Sequence, residues 1–386
     1  MTELLIHRGA RQIGGSVIEL RTETTRIFLD MGSPLLGPEE SGAEAVLSIP
    51  GVTQPGEPCQ GVFFTHTHGD HMGQIGHILP TVPLFLGEAS REVARILYRR
   101  LSRCAGLDVQ PVLSALERAH TFQPGRTLTI GNIRITPLLV DHSAFDAYMF
   151  LLESDGVRLL YTGDFRNHGP RGKALLPVLR RYVGQVDWLI CEGTTLSRPQ
   201  GRVLTEWELG SRARAVMQAH RHVFVLCAST NIDRIATLAH CAPRGRPVIC
   251  DGYQKEILNC VEKLSGSKSG FYRFDRVIPY FAGTTSCENG WKKRDSFRLS
   301  GSTGNFERGW TPTVGTAYCS IPCGRDTGAV LPAAMNWPRS WRGFPLSAST
   351  PAAMPSRRRS DGSAGLWPRA AAFSPSMVKP RRCFGR

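Results

Sequence analysis

Thr65-His66-Thr67-His68-Gly69-Asp70-His71 decides how this chain folds and what it can hold. The run follows Gly61-Val62-Phe63-Phe64, an apolar stretch of strand type, and leads into a helical stretch over about 72–79. Four metal-ligand side chains fall here at H-x-H-x-D-H spacing. His66 and His68 project together, and a tight turn at Gly69 lets Asp70 and His71 face a neighbouring position. A lone histidine is usually a core or surface residue, whereas this density of imidazole and carboxylate is the signature of a metal loop.

Further candidates stand at strand ends. Val140-Asp141-His142-Ser143 closes an apolar run with a histidine, Tyr161-Thr162-Gly163-Asp164 closes another with a carboxylate, and Phe28-Leu29-Asp30 does so earlier. Taken singly, an Asp at a strand end is an ordinary turn residue. In this order around His66 they support one another. Gly14-Gly15 reads either as a turn that lets the backbone approach the metal loop or as a plain hairpin. Residues 1–190 alternate short β-like runs at 3–6, 17–20, 26–29, 61–64, 127–130, 134–140, 148–153 and 158–161 with a helix at 89–101, which is α/β sandwich material. A second α/β unit follows to about 283, with strands at 187–191, 223–227 and 248–250 and helices at 206–220 and 231–240. Strand–helix–strand order there predicts parallel strands with ligands at their carboxyl ends.

The series Asp30, His66-x-His68-x-Asp70-His71, His142 and Asp164 resembles the metallo-β-lactamase fold hydrolases. The resemblance implies an αββα sandwich and a cofactor of two Zn2+ ions. By that match His66, His68 and His142 hold the first ion, Asp70 and His71 the second, and Asp164 bridges them. Asp30 sits behind, orienting ligands through hydrogen bonds. Cys191-Glu192-Gly193-Thr194-Thr195 looks like the first motif of the β-CASP nucleases, which process RNA and DNA. Cys227-Ala228-Ser229-Thr230-Asn231-Ile232-Asp233-Arg234 resembles the same region of RNase J-like proteins. A helix N-terminus with Ser229, Thr230 and Asn231 suits phosphate binding, although the same residues serve equally as an ordinary cap. The implied function is zinc-dependent cleavage of RNA phosphodiesters, with Asp70, Asp164 and Glu192 in the chemistry. The resemblance implies RNA or single-stranded DNA as a partner and allows a second copy of the chain. The other readings are a small-ester or thioester hydrolase, against which the unit from 187 to 281 argues, and a non-catalytic RNA-processing scaffold.

The family pattern continues with two histidine motifs, of the type His-Thr-Ser-Gly-His and Pro-Val-His-Gly-Glu, but the last histidine here is His240. Residues 284–386 hold 16 Lys+Arg against 5 Asp+Glu, five of the seven tryptophans and ten prolines, with no sustained period. Back-translated and read from each codon's third base, Ser349-Thr350-Pro351-Ala352-Ala353-Met354-Pro355 permits His-Thr-Ser-Gly-His-Ala. Ser374-Pro375-Ser376-Met377-Val378-Lys379 permits Pro-Val-His-Gly-Glu in the same frame. A slip of the reading frame near 282–286 accounts for both. The expected organisation is therefore a metallo-β-lactamase domain at 1–190, a partial β-CASP domain at 191–283 and an off-frame or disordered basic tail at 284–386. Loss of the histidine motifs leaves the second metal short of a ligand and predicts impaired activity. The tail also explains the charge: of the formal +15, the first 283 residues carry only 31 Lys+Arg against 27 Asp+Glu. No apolar run is long enough to span a membrane. The N-terminus lacks signal-peptide character, and eleven irregularly spaced cysteines suit a reducing, cytoplasmic compartment.

Overall fold

A computed structural model describes residues 1–35, 46–196, 203–266, 270–280, 296–300 and 316–320. Three sheets organise it. The first is built in chain order from β1 (Glu3–Arg8), β2 (Val17–Arg21), β3 (Arg26–Leu29), β4 (Gly61–Phe63), β5 (Leu84–Gly87) and β6 (His120–Phe122). Between these strands lie the short α1 (Gly69–Met72), the long α2 (Glu88–Ala105) and α3 (Gln110–Arg118). The second sheet runs β11-β10-β9-β8-β7, from β7 (Leu128–Ile130), β8 (Ile133–Val140), β9 (Ala147–Ser154), β10 (Val157–Tyr161) and β11 (Trp188–Ile190). The turn α4 (Leu175–Val178) lies before β11.

The two sheets face each other over one core. Leu20, Ile27, Leu29, Phe63 and Phe85 from the first meet Ile133, Ile135, Phe150, Leu152 and Leu159 from the second. β9 is a near-continuous apolar run because both its faces are covered. Ala94, Ala115 and Leu116 of α2 and α3 pack with Phe28, Val62 and Leu84 on the outer face of the first sheet. Leu175 and Val178 of α4 pack on the second. This is the αββα layering that the resemblance implies.

The remaining elements are α5 (Glu206–Ala219), β12 (His222–Leu226), α6 (Ile232–Cys241), β13 (Val248–Cys250), α7 (Gly252–Ser265), β14 (Val277–Pro279), β15 (Ser296–Ser300) and β16 (Thr316–Ser320). They form a third sheet, β14-β13-β15-β12-β16, in which every pairing is parallel. The predicted parallel strands are present, but β15 lies between β12 and β13. Of the stretch from 284 onward, only β15 and β16 are described; the off-frame histidine motifs at 349–355 and 374–379 lie outside the described residues. α2 joins the parts: its Ala94 belongs to the core of the first sheet, and its Val93 and Ile96 pack with Ile235, Ile257 and Leu258 of α6 and α7.

Side-chain caps set the helix starts around this third core. Thr205 accepts from the backbone N–H of Glu208, whose carboxylate accepts from the N–H of Thr205 in return. Asn231 and Asp251 cap α6 and α7 in the simpler way.

One buried ion cluster staples the first sheet. Glu19 on β2 accepts from Arg26 Nε on β3 at 2.7 Å and from His7 on β1 at 2.7 Å, while Arg26 also donates to the carbonyls of Pro50 and Glu57. Burial alone would raise the Glu19 pKa, but the bonds from His7 and Arg26 pull it from 4.5 down to about 2. A depressed carboxyl contributes stability that is complete above the unfolded value and is lost as pH falls from 4.5 towards 2. Glu19→Gln is therefore expected to cost about 3 kcal/mol at pH 7 and to flatten the pH dependence between 4.5 and 2. Urea unfolding at several pH values checks this; an acid limb identical to that of the parent chain would refute it.

Candidate metal centre

The metal loop sits where β4 ends, against the carboxyl end of β3. Two close approaches hold it there. Asp70 offers its carbonyl to the N–H of Ser16, and His71 offers its own to the N–H of Met31. A side chain at Gly32 would overlap the Asp70 carbonyl at 1.7 Å, and one at Gly14, which has φ +77°, would meet Asp70 Cβ at 2.8 Å. Gly14 thus serves the approach of backbone to metal loop, the first of its two readings.

Asp30 is the buried centre of the arrangement. It adopts φ +59° and is fully shielded from solvent. Its carboxylate accepts from the Thr65 N–H at 2.7 Å, from Thr65 Oγ1 at 2.9 Å, from His71 Nδ1 at 2.8 Å and from Tyr161 OH at 2.7 Å. These bonds orient two rings. The Thr65 hydroxyl spends its only proton on Asp30, so at 3.0 Å it accepts from His66 Nδ1 and leaves His66 Nε2 with its lone pair. His71, donating through Nδ1, turns its Nε2 towards Asp164 Oδ1 at 3.2 Å and Asp70 Oδ2 at 3.8 Å.

The second sheet supplies the other wall. His142 follows β8, and its Nε2 lies 3.1 Å from His68 Nδ1; His66 Nε2 lies 3.1 Å from the same atom. Two groups of metal-ligand atoms result, His66–His68–His142 and His66–His71–Asp164, adjoining at His66. A tetrahedral ion about 2.0–2.1 Å from each nitrogen needs those nitrogens roughly 3.4 Å apart. Both 3.1 Å separations come close to that, so the imidazole group can hold a metal ion.

Electrostatics prepare the same site. Burial, reinforced by the neighbouring imidazoles, holds His66 and His142 well below the usual histidine value, so both are neutral and able to ligate. Burial would also lower His71, but the charges of Asp30 and Asp164 override it and raise His71 well above that value. A cation placed between His71 and Asp164 takes the part of that proton. Asp164 is held at about 2 against the effect of burial, chiefly by His71. Burial raises Asp70 and Glu192, and in both the nearby Asp164 charge adds to it.

The expected residues divide by position. His66, His68, His71, His142 and Asp164 converge, with Asp30 behind them; Asp70 stands outside both ligand groups, its Oδ2 3.8 Å from His71 Nε2. Glu192, just after β11, accepts from the Phe165 N–H at 2.8 Å beside Asp164. Ser229, Thr230 and Asn231 stand at the start of α6, where Asn231 Oδ1 accepts from the Arg234 N–H at 3.3 Å and so acts as the cap. Thr65, Tyr161 and Arg166 were not singled out in the sequence. Thr65 and Arg166 do adjoin ligand residues, but nothing local marks Tyr161 as a partner of Asp30.

Residues 25–245 match the family model described as a beta-lactamase superfamily domain, a span that holds every ligand named above. The chain belongs to the beta-lactamase superfamily. Within it, ribonuclease J of Mycobacterium tuberculosis is 25% identical over 240 residues, 61% of this chain and 41% of that protein. The RNase J-like protein of Methanocaldococcus jannaschii is 29% identical over 50% of this chain and 43% of its own. Transcription termination factor FttA of Methanothermobacter thermautotrophicus is 25% identical over 48% of this chain and 30% of its own. The chain thus spans about a third to two fifths of these superfamily relatives. A crystal structure of a protein of unknown function from Enterococcus faecalis V583 shares the fold, with a TM-score of 0.63, 20% identity and coverage of 79% of this chain and 77% of that one. No helix among the described residues is long and apolar enough to cross a membrane.

Proposed function

We propose that this chain is a zinc-dependent hydrolase of RNA phosphodiester bonds, impaired by the loss of the histidine motifs expected after 283. The observation that carries the reading is the pair of adjoining ligand groups that meet at His66, in a chain similar to ribonuclease J. His66, His68 and His142 would hold one ion, and His71 and Asp164, with Asp70 beside them, the other. A divalent ion there lowers the pKa of water and neutralises charge on a phosphoryl oxygen. The chain's own residues do the rest. Asp30 fixes the rings of His66 and His71 through Thr65 and its own carboxylate. Asp164, in the second ligand group, stays ionised against His71. Glu192, raised by burial and by Asp164, is suited to hold a proton for the leaving oxygen. Ser229 and Thr230, at the amino end of α6, would offer donors to a phosphate. The domain limits of 1–190, 191–283 and 284–386, a cytoplasmic setting and a dimer belong to the same proposal.

The test compares two proteins on 5′-labelled single-stranded RNA with zinc: the chain as written, and the product of a gene restored by one base within codons 282–286. Restored protein is expected to cleave in a zinc-dependent, chelator-sensitive way, and the chain as written at least about 100-fold more slowly. Equal rates would refute the impairment. Failure of the restored, zinc-loaded protein on RNA would refute the nuclease reading, and hydrolysis of a small thioester instead would favour the other enzyme class.

A further inference from the structure

Beside the metal centre lies a charge network that the chemistry above does not use. Arg166 stands two residues after Asp164, and Asp141 immediately precedes His142. The Arg166 N–H donates to the Asp141 carbonyl at 2.7 Å, and Arg166 Nε donates to Asp141 Oδ1 at 2.9 Å. This double tether joins the loop that carries Asp164 to the loop that carries His142. The rest of the guanidinium points away from the sandwich, with Nη1 3.4 Å from Glu206 at the start of α5 and Nη2 3.4 Å from Asp233 on α6.

The acceptors are themselves fixed. Arg234 forks onto Glu206 at 2.6 and 2.7 Å, and Asp233 receives Arg171 at 3.1 Å and Tyr272 OH at 2.8 Å. Three arginines thus face three carboxylates, and the side chains of Asp141, Glu206 and Asp233 are 0, 3 and 1% exposed. Balanced charges at this depth hold their geometry tightly, because displacing one leaves another buried without a partner. A second contact runs the same way. Phe145, three residues after His142, packs edge-on against Tyr272 at 5.1 Å with Arg171 over its ring at 5.3 Å.

We propose that Arg166 is a positioning residue through which the unit carrying α5 and α6 sets the spacing of the metal ligands His142 and Asp164. Docking of Glu206 and Asp233 fixes the guanidinium, the guanidinium fixes Asp141, and Asp141 fixes the His142 loop against the Asp164 loop. The metal centre is complete only while that unit is seated. This rests on the metal-centre reading given above.

Cobalt(II) is the probe, because its visible absorption reports coordination independently of catalysis. Full-length parent chain is titrated with cobalt beside Arg166→Lys, which keeps the charge but cannot bridge three carboxylates, and Asp233→Asn, which changes only the distant anchor. Both variants are expected to bind cobalt about 10- to 100-fold more weakly, with a weaker tetrahedral band. Glu19→Gln, which lowers stability at a residue bonded to His7, Arg21 and Arg26 and to no ligand, should leave the band unchanged at a comparable melting temperature. Folded Arg166→Lys and Asp233→Asn proteins with the parent's affinity and spectrum would overturn the proposal. So would an equal loss in Glu19→Gln, since general destabilisation would then suffice. A parent chain that binds no cobalt would instead overturn the metal-centre reading, and this inference with it.

Discussion

Asp30→Asn is expected to destabilise the chain by about 3–5 kcal/mol, although it changes a single atom. The carboxylate is fully buried, and every group pointing at it is a donor: the Thr65 N–H and hydroxyl, His71 Nδ1 and Tyr161 OH. An amide keeps one acceptor and turns an NH2 towards the remaining donors. Whichever way it flips, a buried backbone N–H or a buried phenol and imidazole lose their acceptor. For a chain of this size the loss corresponds to a fall in melting temperature of roughly 4–8 °C. It should also release the rings of His66 and His71, so zinc affinity falls in the same protein. Thermal unfolding and a chelator competition check the two effects. A melting temperature within 2 °C of the parent's would show that the hydrogen-bond assignment around Asp30 is wrong.

His142→Ala has the second large effect. The residue contributes Nε2 to the three-imidazole group, 3.1 Å from His68 Nδ1, and comes from the opposite sheet to the other two ligands. Two imidazoles from one loop are a weak chelate; the third, held across the sandwich, closes the site. Spread over its ligands, the binding free energy of a structural zinc amounts to several kcal/mol for each, so removing one should weaken the ion by about 100-fold or more. The parent chain is expected to retain close to one zinc per chain through gel filtration and His142→Ala close to none. Asp164→Asn should leave that tight ion in place and impair only the adjoining group. Elemental analysis of the three proteins decides the matter, and zinc retained by His142→Ala would place the tight site elsewhere.

Much of this centre was legible in the sequence because ligand chemistry is written in residue type and local spacing. The His66–His71 loop is contiguous, and His142 and Asp164 announce themselves by ending apolar runs. Most sandwich strands were legible for the same reason, since alternating or continuous apolar runs separated by turn residues leave little choice of element; β5 and β6, of four and three residues, were not. Helices were less so. In α3, Pro111 reads as a breaker, yet it lies in the first turn, where its missing N–H costs nothing. In α7, Gly252 obscures a start that Asp251 caps through its side chain. The stretch expected to be helical over 72–79 is instead the single turn α1 and a short 3-10 turn at Ile75–His77. Backbone bonds from Met31 and Ser33 to His71 and Gly69 bind that turn to β3 and cut the helix short.

The sequence by itself put forward the side chains of the candidate centre by type and spacing: His66, His68, His71 and His142, with Asp70 and Asp164. Tertiary structure alone decided which ring nitrogens of His66 and His71 are turned to the hydrogen bonds that fix them and which face the candidate centre. Asp30 reaches Thr65, His71 and Tyr161 across 35, 41 and 131 residues of chain, and Arg166 reaches Asp233 across 67. Such partners carry no local signal, because a hydrogen bond is fixed by the direction of both groups, and those directions exist only once two sheets and the unit beside them have packed.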